Sequence, residues 1–289
     1  AEFHSGRRGV LHPCCCGNRG HPPLLSGRYR PELLQADHRQ DLRGFLQAHD
    51  ADQAEVDIED LTVLMDMDTP EDYERMVRFA GFLDSGSGAS TGRPAEPTDA
   101  LAPGIDPSAS SAANASLTSE DALHILALLQ VPNKVVRHSR AVAEAGEAMA
   151  EALKPHLPHL DVDLVRSACL LHDMARTQSK HAVVAGNILR NLGLTRLSAV
   201  VGAHMVLPAG SLDSTSVVEE HIVYLADKLV VEDAIGSLEK READALRRHG
   251  HDSATREAVK ARIRAAETIR DRVESIVGRS LEEVLVRKR

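Results

Sequence analysis

The sequence predicts a mainly α-helical protein with a small α/β part at its N-terminus. Aromatic residues are only 2% of the 289 residues and Trp is absent. The core must therefore consist of Leu, Val, Ile and Ala, a composition that favours helices. From Thr118 onward, apolar residues recur at helical spacing between recognisable helix starts and stops. Before that point the pattern is weaker and mixes short alternating runs with helical ones.

The overall composition is that of a soluble globular protein, with 43% apolar and 27% charged residues. The net charge of −9 argues against general nucleic-acid binding, because affinity for phosphates needs basic patches. No apolar run approaches the roughly 20 residues of a membrane span, and no signal-peptide pattern is present. We therefore expect a cytoplasmic protein. The four cysteines have neither zinc-site nor disulfide-framework spacing and are expected to be reduced thiols.

The first part of the chain, residues 1–83, gives few periodic signals. Residues 1–30 are rich in Gly, Pro, Arg and His and are predicted to form loops. A helix is predicted from Pro31, and residues 54–58 alternate like a short strand. Thr69-Pro70-Glu71-Asp72 then starts a helix to about Phe82, with an N-cap, a Pro at the first position and acidic residues in the first turn.

Residues 84–117 contain almost only Ser, Gly, Ala, Pro and Asp, a composition typical of a flexible linker. We expect this linker to let the parts on either side move independently. The three predicted regions are thus 1–83, 84–117 and 118–289.

The helical part starts with Thr118-Ser-Glu-Asp121, a capping box with Asp in place of Glu. Gly193 is predicted to terminate another helix as its C′ residue. Charged amphipathic helices are predicted over 237–289; they could pair between chains in a homodimer or fold back on their own domain, and the charged run 239–248 is predicted to be a solvated face. Between these ends, helices are predicted from Lys134, from Asp161 or Asp163 to His172-Asp173, and over 181–191, 197–205 and 217–231.

Metal-binding residue types recur through these helices in a fixed order: His138, the doublet His172-Asp173, and Asp227. Each lies in an apolar helical pattern, where burying an unpartnered polar group costs free energy. Imidazole and carboxylate groups suit divalent Mn, Fe, Zn or Mg. Adjacent residues on a helix point about 100° apart, so the doublet is expected near a helix end. The series predicts a divalent metal site built from several helices.

Two further histidines extend this site. His181 starts a helix eight residues after Asp173, and His204 lies in another apolar helix. A carboxylate has two oxygens, so Asp173 could bridge two ions. His138, His172, Asp173 and Asp227 would then bind one ion, and Asp173, His181 and His204 the other. Such a pair can lower the pKa of a bridging water and stabilise in-line phosphate hydrolysis.

The ordered series resembles that of the HD phosphohydrolase superfamily, which is named for its His-Asp doublet. The resemblance covers residues 118–235 and includes Leu170-Leu-His-Asp-Met-Ala175 and Leu225-Ala-Asp-Lys228. It implies that the four ordered residues are core ligands, that His172 and Asp173 lie at the catalytic centre, and that His181 and His204 hold a second ion. Met205 follows His204, so the branches with a His-His doublet there, including the cyclic-dinucleotide branch, are not expected.

Basic residues near the doublet are candidates for contacting a substrate phosphate, since charged hydrogen bonds to phosphate are strong. These residues are Arg176, Lys180 and Lys228.

A second resemblance covers residues 10–83. Gly20-His21-Pro22-Pro23, Asp41-Leu42-Arg43 and Asp66-Met67-Asp68-Thr69-Pro70-Glu71-Asp72 are similar to the C-terminal part of the molybdenum-cofactor nucleotidyltransferase family. It implies that Asp66 or Asp68 helps to hold Mg²⁺ and nucleotide phosphates. The Gly-rich nucleotide-binding loop of that family does not occur here, so a truncated remnant is inferred. Alternatively, these carboxylates simply end a strand and cap a helix.

The leading hypothesis is a metal-dependent phosphohydrolase that uses metal-activated water on a nucleotide or another phosphate ester or anhydride. The alternative is a non-catalytic regulatory module that binds metal and nucleotide and is accessory to a molybdenum-cofactor nucleotidyltransferase. One or two divalent ions are expected in either case. The sequence does not identify the substrate.

Overall fold

The structure is a computed structural model that describes residues 8–35, 41–86 and 117–286. Helices dominate it, and a small α/β region precedes them. This confirms the mainly α fold class. All four cysteines are free thiols, and Cys14, Cys15 and Cys169 are buried.

The N-terminal region is built on a sheet whose central strand is β1 (Val10–Cys15). This strand is antiparallel to β2 (Asn18–Arg19) and β3 (Leu24–Leu25) and parallel to β4 (Gln53–Asp57). In the parallel pair Val10 lies opposite Gln53, and Cys14 lies opposite Asp57. The strand predicted at residues 54–58 is thus confirmed as β4.

Within the described residues 8–30, the prediction of loop is wrong where strands β1, β2 and β3 form. Strand β1 is buried over almost its whole length, so its sequence lacks the alternation of a half-buried strand. It also contains Pro13, which normally argues against a strand because proline has no N–H to donate. The carbonyl of Pro13 still accepts a hydrogen bond from Gly20 N at 2.7 Å. Periodicity therefore could not identify β1, because the strand is buried on both faces and contains a proline.

Two short helices, α1 (Arg30–Gln35) and α2 (Leu42–Ala48), occupy the stretch where one helix was predicted. Short 3-10 turns follow at Asp50–Asp52 and Leu61–Leu64.

The helix predicted from Thr69 is α3 (Pro70–Gly86), and it extends beyond Phe82. Its start is capped as expected: Thr69 Oγ1 accepts from Asp72 N at 3.2 Å, and the Asp72 carboxylate accepts from Thr69 N at 3.1 Å. Most of the predicted linker, residues 87–116, lies outside the described residues.

The second region is a helical bundle with one small hairpin between its two halves. The helices before the hairpin are α4 (Ser119–Leu128), α5 (Asn133–Leu153), α6 (Val162–Leu171), α7 (His181–Asn191), α8 (Thr195–Ala203) and α9 (Glu219–Leu229). The hairpin pairs β5 (Val230–Val231) with β6 (Ala234–Ile235). The last three helices are α10 (Leu238–His249), α11 (Ser253–Val277) and α12 (Leu281–Val286).

Local signals fix most of the helix ends in this bundle. Thr118 and Asp121 form the predicted capping box at α4. Asp161, rather than Asp163, caps α6 by accepting from Leu164 N at 3.0 Å. Gly193 has φ 79° just after α7, as a C′ glycine requires. Helix α9 ends two residues earlier than predicted, because Val230 already belongs to the hairpin.

The core is continuous through the bundle, and α5 and α6 approach each other closely. A β-carbon on Gly146 of α5 would lie 2.5 Å from Cys169 Sγ of α6, so any larger residue would force the buried sulfur to move. Helix α6 in turn packs on α9 and α8. The end of α6, where the His-Asp doublet lies, is therefore held among several helices.

The N-terminal region packs against the bundle instead of standing apart. Leu61, Phe79 and Phe82 belong to the same apolar core as the helices. The guanidinium of Arg78 lies 2.8 Å from the buried Asp121 carboxylate at the start of α4. This shared core argues against independent motion of the two parts. None of the helices in the described ranges is both long and apolar enough to cross a membrane.

Candidate metal centre

The His-Asp doublet lies where α6 ends. His172 is the C-cap residue of that helix and is fully buried. Its Nδ1 lies 2.8 Å from the carbonyl oxygen of Cys169. A carbonyl can only accept, so Nδ1 carries the hydrogen, and the neutral ring presents Nε2 as a free lone pair. The end of the helix lets both members of the doublet face one point, as the sequence predicted.

Two other histidines are oriented in the same way. His204, the C-cap residue of α8, has Nδ1 at 2.7 Å from the carbonyl of Val201. His138, near the start of α5, has Nδ1 at 2.7 Å from the carbonyl of Glu232. Hydrogen bonds of this kind from the non-ligating nitrogen fix the ring in metalloproteins. In each of the three rings Nε2 faces the same buried centre.

The first group of candidate ligands consists of His138, His172 and Asp173, whose ligand atoms all lie within 4.8 Å of one another. Asp227 of α9 lies against this group. Its Oδ1 is 3.3 Å from His138 Nε2 and 3.7 Å from His172 Nε2. The residues that the sequence assigned to one ion are thus brought together by α5, α6 and α9.

The second group consists of Asp173, His181 and His204, again within 4.8 Å of one another. Asp173 Oδ1 lies 3.3 Å from His181 Nε2 and 3.7 Å from His204 Nε2. The other carboxylate oxygen, Oδ2, lies 3.6 Å from His172 Nε2. Asp173 therefore stands between the two groups with one oxygen toward each.

The distances between the candidate ligand atoms and the unpaired Nε2 atoms are consistent with bound divalent ions. The buried Nε2 atoms of His172, His181 and His204 have no hydrogen-bond partner. Leaving such atoms unpaired inside a protein costs about 1–3 kcal/mol each. Two ligands at about 2.1 Å from one ion in tetrahedral geometry would be about 3.4 Å apart. The observed nitrogen–oxygen separations of 3.3–3.7 Å lie at this spacing.

The charges of the centre also favour a cation. Burial alone would lower the pKa of His172, but the carboxylates of Asp227 and Asp173 outweigh it and raise that pKa. Burial would likewise raise the pKa of Asp227, but the ammonium of Lys228 and the nearby histidines hold it well below its usual range. Both carboxylates therefore remain ionised, and their field attracts positive charge to the Nε2 atoms.

The three predicted phosphate-contacting residues occupy different settings. Arg176 Nη1 lies 3.2 Å from both Asp173 oxygens, and its side chain is 53% exposed. Lys228 is buried, with Nζ 2.9 Å from Asp227 Oδ2, bonded to the carbonyl of His204 and 4.0 Å from the centre of the Tyr224 ring. Lys180 is exposed at the N-cap of α7 with φ 55°.

Asp66 and Asp68 are exposed in the N-terminal region. Asp66 Oδ1 accepts a hydrogen bond from Met67 N at 2.9 Å. Among the described residues, neither carboxylate belongs to a group of three candidate metal ligands.

Arg241 was not predicted as a site residue, but the structure places its guanidinium beside Asp227. It lies on α10, in the charged run predicted to be solvated. Its Nη2 is 3.3 Å from Asp227 Oδ1, and its Nη1 donates to the carbonyl of Val230 at 3.0 Å. Its spacing of three residues from the buried Leu238 is the one local signal that it faces inward.

A cavity of about 230 Å³ opens beside Asp227. Its walls come from the end of α9 with Val231, from α10 and from α11, and Met205 and Arg176 also line it. The cavity therefore reaches the candidate metal centre at Asp227, and its volume is large enough for a small molecule.

Comparison with known proteins agrees with this geometry. The HD domain family matches residues 135–232, which contain all six candidate ligands. An uncharacterized protein of Methanocaldococcus jannaschii is 34% identical over 145 residues, covering 42% of this chain and 85% of the relative. No solved structure matches the chain. Neither match supports the nucleotidyltransferase resemblance of residues 10–83.

Proposed function

The chain belongs to the HD domain family, whose members are mostly metal-dependent hydrolases, and from this premise we propose that it is a metal-dependent phosphohydrolase. HD domains bind divalent metal ions. The observation that carries the proposal is the position of Asp173. This one buried carboxylate lies between two groups of imidazoles, and three of their Nε2 atoms lack any hydrogen-bond partner.

In the proposed centre, His138, His172, Asp173 and Asp227 would hold one ion. Asp173, His181 and His204 would hold a second. When bound, such ions lower the pKa of a water molecule and draw charge from a phosphate. The metal could be Mn, Fe, Zn or Mg, and the four imidazoles favour the first three, because Mg²⁺ prefers oxygen ligands.

The surrounding protein keeps these side chains in place and helps to bind the substrate. The bonds from Nδ1 to backbone carbonyls hold the rings, so little ordering is needed when a ligand binds. Lys228 neutralises part of the charge of Asp227 and ties α9 to the end of α8 through the carbonyl of His204. Arg176 is exposed beside Asp173 and can donate to a phosphate oxygen. Lys180, exposed at the N-cap of α7, is the other candidate for this role.

The proposed substrate is a nucleotide or another phosphate ester or anhydride. Water is the nucleophile. Hydrolysis of a phosphate ester gives an alcohol and a phosphate, and hydrolysis of an anhydride gives two phosphate products. The catalytic residues proposed are Asp173 and His172, since both face the point where the two ion sites meet.

A second candidate function is the regulatory module accessory to a nucleotidyltransferase, in which Asp66 or Asp68 would retain a Mg²⁺ or nucleotide contact. One contact favours a link between the two regions. Asn187 of α7 donates to the Glu59 carboxylate at 2.9 Å, and Asn191 donates to the Glu59 carbonyl at 2.6 Å. Helix α7 starts with His181, so the N-terminal region contacts an element of the metal centre.

The test is phosphate release from a panel of nucleotides and phosphomonoesters with added Mn²⁺, together with metal analysis of the purified protein. We expect Asp173→Ala to abolish turnover and to lose bound metal. Asp271→Ala removes an exposed carboxylate on α11 and should change neither. Turnover that persists in Asp173→Ala would refute the phosphohydrolase proposal. Metal binding by the native chain without turnover on the whole panel would favour the regulatory module.

A further inference from the structure

We propose that the cavity beside Asp227 binds a second anionic group of the substrate, and that Arg248 and Arg262 are the residues that recognise it. The preferred ligands are then small phosphate compounds that carry another phosphate or a carboxylate. The inference deepens the proposed function and relies on it for the position of the first phosphate.

The cavity is walled by matching faces of two C-terminal helices. Helix α10 contributes Arg241, Asp244, Ala245 and Arg248, a spacing of three, four and seven residues that places all four on one face. Helix α11 contributes Val259, Arg262 and Ile263 at the same kind of spacing. Both helices lie outside the residues matched by the HD domain family, which end at 232. The family match therefore does not account for this wall.

Charge distinguishes the cavity from the rest of the protein. Five cationic side chains and two carboxylates line it, although the whole chain has a net charge of −9. Three of the cations already have partners: Arg176 is paired with Asp173, and Lys228 and Arg241 are paired with Asp227.

The other two cations, Arg248 and Arg262, have no ion pair within the described ranges, and both are exposed. Their guanidinium groups are free to bind an incoming anion. Arginine is well suited to this role, because its planar fork can donate two hydrogen bonds to a carboxylate or phosphate.

The dimensions favour a small ligand with charge at both ends. Arg241 marks the metal end of the cavity, and Arg248 lies seven residues further along α10, about 10 Å away at 1.5 Å per residue. The volume of about 230 Å³ is below the range of roughly 300–1,000 Å³ found for drug-sized ligands. Val231, Val259 and Ile263 supply apolar wall between these ends. A short carbon skeleton with a phosphate at one end and a second anion at the other fits this arrangement.

The experiment compares pairs of compounds that differ in one group. Glycerol 3-phosphate has a hydroxymethyl group at the position where 3-phosphoglycerate has a carboxylate, and the two are otherwise identical. Fructose 6-phosphate and fructose 1,6-bisphosphate differ by one phosphate. Dissociation constants are measured by calorimetry on the metal-loaded protein, and kcat/KM is measured for any compound that is hydrolysed.

The native protein should bind the member with the second anion about tenfold to a hundredfold more tightly in at least one pair, as expected for charged hydrogen bonds. In the double variant Arg248→Gln, Arg262→Gln this preference should fall to about threefold or less, while binding of the singly phosphorylated member stays unchanged. Arg264→Gln is the matched control. It removes an exposed arginine of α11 that does not line the cavity, and it should keep the full preference.

Two results would overturn the inference: no preference in either pair for the native protein, or a preference that survives in the double variant. Hydrolysis tests the phosphohydrolase proposal separately. A preference that depends on the two arginines, without turnover of any compound, would support the anion site and refute the hydrolase on these compounds. Turnover together with a preference that does not depend on the two arginines would support the hydrolase and refute the anion site.

Discussion

Alanine in place of Gly146 tests how closely α5 and α6 must approach to bring His138 and His172 together. The new β-carbon would lie 2.5 Å from Cys169 Sγ, whereas ordinary contacts start at 3.4 Å. The sulfur would have to retreat by about 0.9 Å, and Cys169 is fully buried, so its neighbours would also have to move. Overpacking of this kind costs about 1–3 kcal/mol.

The expected net change in the free energy of unfolding is smaller than the clash alone. Alanine is favoured over glycine in a helix by about 1 kcal/mol. The two effects together predict a destabilisation of about 0–2 kcal/mol for Gly146→Ala. This single value does not separate the clash from the helix preference, because the two have opposite signs. A double-mutant cycle with Cys169→Ala separates them, because the helix preference at position 146 is the same in both backgrounds and cancels.

In the cycle, the clash is present in Gly146→Ala and absent when Cys169 is also alanine. We expect a coupling energy of about 1–3 kcal/mol, with the double variant more stable than additivity predicts. The assay is urea denaturation of the four proteins in EDTA, so that bound metal does not contribute to stability. Additivity within about 0.5 kcal/mol would show that α5 and α6 are not in the close contact described, and would refute the reasoning.

Three further outcomes are expected. Metal removal by EDTA should lower the thermal stability of the native protein, and Mn²⁺ at 100 times its Kd should restore about 2.7 kcal/mol; Asp173→Ala should show neither effect. Lys180→Gly should raise the free energy of unfolding by about 1 kcal/mol, because φ 55° is unfavourable for lysine, and a simultaneous loss of phosphatase activity would identify Lys180 as a phosphate contact. Burial opposes ionisation of Asp121, but hydrogen bonds from Arg78 and Thr118 outweigh burial and lower the pKa of this carboxyl. The stabilisation that the ionised Asp121 provides is fully present above the ordinary Asp pKa of about 3.9. It is lost as the pH falls through the lower pKa of the folded state. The native protein should therefore lose stability in acid more steeply than Asp121→Asn in denaturant titrations at several pH values, and equal slopes would contradict this assignment.

The parts of the fold that could be predicted are those encoded within a few residues. The capping box at Thr118 and the C′ glycine Gly193 each determine a helix end through contacts inside one turn. Strand β1 has no such local code, because it is a buried central strand interrupted by Pro13. Its pairing with β4 joins residues about 40 positions apart, and no periodicity in either segment reports that partnership.

The same distinction applies to the metal centre. The order and residue types of the ligands are sufficient to group His138, His172 and Asp173 from the sequence, because each lies in an apolar helical pattern that predicts burial. Arg241 was missed because a charged helix usually faces solvent, and only the position of α10 against α9 turns this guanidinium toward Asp227. The carbonyl of Glu232 that orients His138 was missed for a different reason: any residue has a carbonyl, so sequence carries no sign of it.

The position of the doublet shows how local and long-range information combine in this protein. Neighbouring helical residues diverge by about 100°, so His172 and Asp173 can serve one centre only because α6 ends at Leu171. The end of α6 depends on nearby residues in the sequence. The partners of the doublet, however, come from α5, α7, α8 and α9, and only the packing of these helices determines their positions. The contact between Gly146 and Cys169 lies one turn before His172 and sets the distance from α5 to the end of α6. A small residue at 146 is therefore part of how this sequence builds a metal centre, although it cannot itself bind metal.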